Sequence, residues 1–270
     1  MGGAERARSL GLTSRVAASL VALLLVVAAP GLHAQGVIES LRRGIEAQQT
    51  FRRAKAAYDA RDYRTARDRV SEALSLDSDH DEARALLGWS QYFLGEYRAA
   101  IITFKVALRR QPAWDGLHDG LGWSRLRLGR YHLASEAFRA ALGLNPENVD
   151  AMVGLGSAQF ELAVYETALP HLQAAVKRLE PLAGPEPPEL PGARAKLGWS
   201  LYYLERYREA LAQFERGLRT QPNLHGFHNG AGWCHLKLGQ KGRARAAFER
   251  ALALRPGYED ALEGLRQVSG

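Results

Sequence analysis

The sequence predicts an all-α solenoid of about six helix–turn–helix repeats, flanked by a cap helix at each end. Tyrosines recur at regular intervals along the chain, small residues follow them at fixed distances, and prolines close most of the repeats. Neither helix of such a repeat can bury its apolar stripe alone, so the repeats must stack on their neighbours. The tyrosines that set the register are Tyr63, Tyr97, Tyr131, Tyr165 and Tyr207.

Each tyrosine opens the same pattern of small and large apolar residues. In the third repeat, Ala134, Phe138 and Ala141 follow the tyrosine at distances of three, seven and ten residues. The sixth repeat has Lys241 in place of the tyrosine but keeps the pattern from Ala244 onward. Small residues allow two helices to approach closely, and the large residue fills the space between them. The pattern therefore predicts the second helix of each repeat.

A glycine marks the first helix of most repeats, at Gly88, Gly122, Gly156, Gly198 and Gly232. Together with the tyrosine register, this pattern resembles the tetratricopeptide repeat, a helix–turn–helix unit of about 34 residues. The resemblance covers about residues 47–258 in six copies. It implies a right-handed superhelix whose first helices line a concave groove. It also implies a non-catalytic protein that binds a peptide or protein partner.

The repeat register sets the domain boundaries. An amphipathic helix at Gln35–Gln49 is expected to lead into the array, and residues 259–268 are expected to form a polar-faced C-terminal cap within a solenoid at 35–268. A proline-rich insertion at 183–190 separates the fourth and fifth repeats, where several prolines oppose helix. The six predicted repeats are 47–80, 81–114, 115–148, 149–182, 191–224 and 225–258.

The N-terminus has the pattern of a secretory signal peptide. Three arginines precede an apolar run from Val16 to Ala29. This run is shorter than the roughly 20 residues of a membrane-spanning helix. We therefore expect a signal peptide at 1–34, cleaved after Ala34, and a periplasmic or secreted protein without a membrane span after cleavage. An uncleaved membrane anchor is the alternative.

The charge and the cysteine content bear on two further questions, whether the protein binds nucleic acid and whether it contains a disulfide. The formal net charge is +7, but part of it lies in the predicted signal peptide and the other basic residues are scattered. This distribution does not favour a nucleic-acid partner. Cys234 is the single cysteine, so an intramolecular disulfide is excluded.

A second periodicity relates the second and third repeats to the fifth and sixth at one constant offset. Residues 87–90 recur as 197–200, both Leu-Gly-Trp-Ser. Residues 116–123 recur with substitutions as 226–233. Either a recent tandem duplication or selection for a shared surface explains this, and the sequence leaves both open.

Four tryptophans directly follow the packing glycines. At about 100° per residue they fall on the face of the first helix that points away from its partner helix. We expect Trp89 to neighbour Trp123 and Trp199 to neighbour Trp233, and the glycines beside them to provide open space or a close backbone approach for a ligand. The alternative is that these rings pack within the solenoid. The predicted ligand-binding groove comprises Trp89, Tyr92, Phe93, Asp119, Trp123, Arg127, Trp199, Tyr202, Tyr203, Asn229, Trp233 and Lys237.

Catalytic and metal-binding motifs are absent from the sequence: it has no glycine-rich phosphate loop, nucleophile elbow or HExxH. His225, His228 and His235 share one helix face beside Cys234, which raises the question of a metal site. Since the third repeat does not carry the same set, we expect satisfied, partly buried histidines instead. No catalytic residue, metal or cofactor is predicted.

Two functions fit these features. The first is an interaction scaffold that binds a peptide or protein partner of the cell envelope through the aromatic groove. The alternative is an accessory protein for polysaccharide binding, assembly or export, since aromatic rings also stack on sugar faces. Association of the chain with itself through the same surface is a further possibility.

Overall fold

The computed structural model describes residues 32–180 and 187–269. Most of the predicted signal peptide and the first part of the proline-rich insertion, 183–186, lie outside the described residues. Within the described residues, all regular secondary structure is helical, in 13 helices. The helices are α1 Leu32–Asp59, α2 Tyr63–Leu76, α3 Asp81–Phe93, α4 Tyr97–Arg110, α5 Asp115–Arg127, α6 Tyr131–Leu144, α7 Val149–Glu161, α8 Tyr165–Leu179, α9 Leu190–Tyr203, α10 Tyr207–Thr220, α11 His225–Lys237, α12 Lys241–Leu254 and α13 Glu259–Ser269.

The helices form two compact units, with the boundary after Ser124. In the second unit, α7 packs on α8, α8 on α9, and so on to α13. The first helices of successive repeats also touch there, α7 with α9 and α11 with α13. Contacts with immediate neighbours are typical of a solenoid, and they confirm the predicted all-α repeat architecture. Across the described part of the chain, no helix is both long enough and apolar enough to span a membrane.

In four repeats, a buried phenylalanine of the second helix fills the space between helix pairs. Phe104, Phe138, Phe214 and Phe248 are fully buried. Phe104 lies between Gly88 of its own repeat and Gly120 of the next, and a Cβ on either glycine would overlap its ring. Phe214 lies in the same way between two glycines of successive first helices, at positions 198 and 230.

Two of the glycines beside the tryptophans therefore have a role other than leaving open space. Gly120 and Gly230 do not leave open space for a ligand, because the phenylalanine rings occupy that space. Helical angles place these glycines on the same face as the tryptophans. The angles do not show that the second helix of the preceding repeat packs against this face and inserts its phenylalanine there. Gly226, in contrast, has no atom within 4 Å of a Cβ built on it.

The turn between the two helices of each repeat requires a left-handed residue. Gly95, Gly129 and Gly239 take this position with φ of 79°, 70° and 74°. Ala163 and Glu205 take it in the fourth and fifth repeats with φ of 56° and 59°. Backbone amides of the turn then bond back to the end of the first helix, as in Gly95 N–H to Tyr92 O at 3.0 Å.

Candidate functional site

Seven aromatic rings gather in the first unit around the C-terminal end of α3. Helix α3 supplies Trp89, Tyr92 and Phe93, which share one side because residues three and four apart on a helix are neighbours. The surrounding helices supply the other four rings. We call this set the first aromatic cluster: Tyr58, Tyr63, Trp89, Tyr92, Phe93, Tyr97 and Phe104.

The first aromatic cluster is connected by direct ring contacts. Phe93 stacks on Tyr63 of the preceding repeat, with centroids 4.5 Å apart and planes 14° from parallel. Trp89 meets Tyr92 edge-on at 5.7 Å. It also meets the buried ring of Phe104 edge-on, at 5.4 Å. Offset-stacked and edge-to-face pairs at these distances are the favourable geometries for aromatic rings.

The second unit holds a matching cluster. Tyr203 stacks on Tyr165 with centroids 4.6 Å apart and planes 16° from parallel. Trp199 meets Tyr202 edge-on at 5.4 Å and Phe214 edge-on at 5.4 Å. We call this set the second aromatic cluster: Phe160, Tyr165, Trp199, Tyr202, Tyr203, Tyr207 and Phe214.

Phe93 and Tyr203 distinguish these two repeats from the others. They lie four residues before the tyrosine position that opens the second helix. Only the second and fifth repeats have an aromatic residue there. The corresponding residues of the other four repeats are charged: Asp59, Arg127, Glu161 and Lys237.

Solvent exposure changes steeply across each cluster. Phe104 and Phe214 are fully buried, whereas Phe93 is 48% exposed and Tyr203 is 51% exposed. The tryptophans lie between these extremes and are half-buried. Each cluster therefore joins the helix-pair core to a surface on which one large aromatic ring is open to solvent.

Burial also raises the pKa of two hydroxyls of the second cluster, Tyr202 and Tyr203. It raises the pKa of Tyr202 to about 12, with a smaller contribution from Tyr207. Burial likewise raises the pKa of Tyr203, again helped by a neighbouring tyrosine, Tyr165. These phenols are neutral near pH 7 and can donate or accept hydrogen bonds at the surface.

Trp199 and Trp233, which the sequence predicts as neighbours, each contact rings of their own repeat. Trp199 contacts Tyr202, Tyr203 and Phe214, and Trp233 contacts Phe248. Among the described residues, no ring contact joins Trp199 to Trp233. The repeat spacing brings neighbouring first helices together, but the rings turn toward their own second helices. Trp123 is half-buried on α5, like its counterparts.

The predicted polar residues of the groove fall into two groups. Arg127 and Lys237 are exposed, whereas Asp119 and Asn229 are buried. The Asn229 amide donates to Asp260 Oδ2 at 2.5 Å and so links α11 to α13. A ligand role for these four side chains stays a prediction.

The histidines form hydrogen bonds within the fold, and the cysteine is buried. His118 and His228 each bond through Nε2 to a proline carbonyl six residues earlier, at 3.0 Å and 2.8 Å. His235 bonds to Gln240 at 2.7 Å. Burial raises the pKa of the Cys234 thiol to about 12. Throughout the described ranges, no group of three or more His, Cys, Asp or Glu side chains could hold a metal ion.

Sequence reasoning missed the rings contributed by the preceding repeat. In the sequence, Tyr63 and Tyr165 serve only as markers of the repeat register, and nothing singles out Tyr58 and Phe160. These last two each lie five residues before the tyrosine of their own repeat, at the position that an aromatic residue also holds in the second and fifth repeats. This shared spacing is the signal that could have identified them.

A stack of helix pairs with exposed aromatic surfaces defines a helical-repeat interaction scaffold as the class of this protein. A family model described as "Tetratricopeptide repeat" matches residues 51–113, 120–183 and 195–259. The chain therefore belongs to the tetratricopeptide-repeat family, whose members generally bind protein or peptide partners without catalysis. No curated protein matches the chain.

Solved structures of the same fold agree. YrrB, described as a TPR protein with an unusual peptide-binding site, is 21% identical, with a TM-score of 0.62 over 73% of this chain and 97% of its own. A chain of the APC/C hetero-tetramer Cut9–Hcn1 is 19% identical, with a TM-score of 0.65 over 94% of this chain and 53% of its own. A MamA mutant is 22% identical, with a TM-score of 0.57 over 66% of this chain and 99% of its own. At these identities the likeness concerns the fold.

Proposed function

We propose that this protein is an exported, non-catalytic scaffold that binds a protein partner of the cell envelope through the two aromatic clusters. The observation that carries the proposal is the pair of half-exposed, stacked rings, Phe93 on Tyr63 and Tyr203 on Tyr165. The only repeats with an aromatic residue at this position are the two whose clusters contain seven rings.

Energetic considerations support these rings as anchors. Burying a phenylalanine side chain fully is worth about 1.5–3 kcal/mol relative to leaving it exposed. An exposed ring that is already stacked loses less side-chain entropy on binding than a mobile one, which favours affinity. Aromatic side chains held in this way are enriched among the residues that dominate binding energy.

The two clusters favour a partner that presents the same apolar segment twice. Their stacked pairs are nearly identical, with centroids 4.5 Å and 4.6 Å apart and planes 14° and 16° from parallel. A partner with two copies of one segment, or a pair of identical partners, would engage both surfaces. Linking two such contacts strengthens binding by avidity when the spacing allows both.

Export is the second part of the proposal. It rests on the three arginines and the apolar run Val16 to Ala29, which together have the pattern of a secretory signal. N-terminal sequencing of the protein recovered from the cell envelope tests it. Export predicts a mature chain that begins near Gln35, whereas a chain that retains residues 1–34 in the cytosol would contradict it.

Site-specific photo-crosslinking tests the binding surface. A photoreactive phenylalanine analogue replaces Phe93 or Tyr203 in cells, and Ile102 or Leu144 in matched controls. Ile102 and Leu144 are also exposed apolar residues, at 65% and 44%, but they lie on second helices away from the clusters. We expect one and the same protein to crosslink at positions 93 and 203, and not at the controls. Adducts that contain only carbohydrate, or no adduct beyond the controls, would overturn the proposal.

A further inference from the structure

The interface between the third and fourth repeats contains a cavity at the place where an ion pair crosses the first interface. Between the first two repeats, Arg67 of α2 reaches across to Glu96, with Nη1 and Oε1 2.5 Å apart. The corresponding residues two repeats further along the chain are Ser135 and Val164. Neither can form that ion pair, and both line a cavity of about 340 Å³.

Ser135 is the residue that opens this space. The matching positions in the first, second, fourth and fifth repeats carry long side chains: Arg67, Ile101, Leu169 and Leu211. The Ser135 hydroxyl is satisfied within its own helix, donating to Tyr131 O at 3.0 Å. The short side chain therefore removes volume from the interface without creating a need for a new partner.

The floor of the cavity contains an unsatisfied acceptor. Gln159 is 4% exposed, and its Oε1 has no hydrogen-bond partner. In the second repeat the corresponding Gln91 Oε1 accepts a hydrogen bond from Thr103 Oγ1 at 2.7 Å. His171 stands at the position that corresponds to Thr103. A buried acceptor without a donor is unfavourable, so a donor that enters the cavity would be stabilised there.

Charges of both signs line the same cavity. Glu136 and Arg139 lie three residues apart on α6, and both are exposed. The charge of Glu136 acts on Arg125, but within the described residues no salt bridge involves Glu136 or Arg139. Burial lowers the pKa of the nearby His171, and the positive charge of Arg139 adds to the effect, which keeps that ring neutral. Residues three apart on a helix have Cβ atoms about 5–6 Å apart, a span that a small zwitterion can bridge.

We propose that this cavity binds a free α-amino acid. Its carboxylate accepts hydrogen bonds from the Arg139 guanidinium, and its ammonium lies beside Glu136 and donates to Gln159 Oε1. The cavity volume lies at the lower end of the range for small-molecule sites, which fits a ligand of this size. The site is separate from the aromatic clusters and does not depend on the function proposed for them.

Isothermal titration calorimetry of the full chain with each of the twenty free L-amino acids tests the site. Acetate and methylamine serve as probes that carry one charge each. We expect saturable binding of at least one amino acid and weaker binding of both single-charge probes. Each of R139Q and E136Q should weaken it about tenfold or more, since hydrogen bonds to charged groups are worth about 1.5–3 kcal/mol.

Two further variants separate the cavity from general surface charge. S135L fills the space with the residue that stands at positions 169 and 211, so it should fold and abolish binding. K105Q changes the residue that corresponds to Arg139 in the second repeat and should leave binding unchanged. Any of three results would overturn the proposal: S135L binds like the wild type, acetate alone binds as tightly as the amino acid, or no amino acid binds saturably up to about 10 mM.

Discussion

The two aromatic clusters have the same geometry but place one hydroxyl differently. In the first cluster Tyr58 lies 6.0 Å from Phe93, whereas in the second Phe160 lies 6.4 Å from Tyr203. The hydroxyl is on Tyr58 in the first cluster and on the outer ring, Tyr203, in the second. In both clusters the outer ring stacks on a tyrosine of the preceding repeat. The second cluster also has Lys196 over the Phe160 ring at 4.9 Å. Ring stacking, rather than hydroxyl placement, is therefore the feature common to both.

The same comparison separates the rings that support the fold from those available for binding. Phe104 and Phe214 are enclosed between paired glycines, whereas Phe93 and Tyr203 are half-exposed. We therefore expect substitutions of the inner rings to affect stability in both units alike. Substitutions of the outer rings should affect binding.

The largest effect is expected from removing an inner ring. F104A and F214A should each lower the free energy of unfolding by about 3–5 kcal/mol, because the cavity left between the glycines cannot collapse fully. Y203A should change it by no more than about 1 kcal/mol, since half of that ring is already exposed. Urea denaturation followed by circular dichroism measures both. Equal losses for F214A and Y203A would remove the distinction between inner and outer rings.

A smaller effect is expected from the glycines that enclose these rings. In G230A the new methyl group would lie 2.5 Å from Phe214 Cζ, so the ring must move, at about 1–3 kcal/mol. G226A, on the same helix, meets no neighbour and should be neutral or stabilising by up to about 1 kcal/mol. Thermal unfolding of the two variants side by side checks this. A G230A protein as stable as G226A would contradict the packing role of Gly230.

The two units also differ in a buried side chain whose effect on stability depends on pH, Cys234 in the second unit. Its counterpart in the first unit is Ser124, whose hydroxyl donates to Gly120 O at 2.7 Å. Burial raises the folded-state pKa of the thiol from 9.0 to about 12. The folded protein therefore holds this proton more tightly than the unfolded chain does, so the stabilisation is complete below about pH 9 and is lost as the pH rises towards about 12.

The substitution C234S should remove this part of the alkaline loss and leave stability at pH 7 nearly unchanged. Unfolding free energies of the wild-type and C234S proteins, measured from pH 8 to 11, test the difference. The tyrosines away from Cys234 contribute equally to both proteins and cancel, whereas Tyr202 and Tyr207, whose pKa values the Cys234 charge helps to raise, are part of the measured difference. Parallel curves across that range would show that the thiol titrates normally.

The smallest expected effect concerns the turn that follows each cluster. Gly95 holds the left-handed position after the first cluster, and Glu205 holds it after the second. A non-glycine residue in this conformation is strained by about 1–2 kcal/mol, partly offset by the greater freedom of glycine in the unfolded chain. E205G should therefore stabilise the protein by about 0.5–1 kcal/mol in thermal unfolding. A lower melting temperature would indicate that the Glu205 side chain makes a stabilising contribution of its own.

The fold could be predicted from the sequence because the core positions of each repeat are marked by residues close together in the chain. The spacing from Tyr131 to Phe138, for example, identifies the buried face of α6. Six copies of the pattern in one register are compatible only with a stacked solenoid. The site was only partly predictable. Helical angles placed Tyr203 beside the tryptophan of its own helix, but its stacking on Tyr165 depends on how the preceding repeat packs. In the same way, the burial of Asn229 results from α13, whose position no pattern within α11 specifies.

The two exposed rings, Phe93 and Tyr203, are proposed to bind one partner, and the affinity of that partner for ring variants measures their contribution. Calorimetry with the protein recovered by crosslinking would compare F93A, Y203A and the double variant with the I102A/L144A control. If the two rings bind one partner, each single variant should weaken binding about tenfold or more and the double variant should lose nearly all of it, with the control unchanged. A double variant that binds as tightly as the control would show that the rings do not bind the partner.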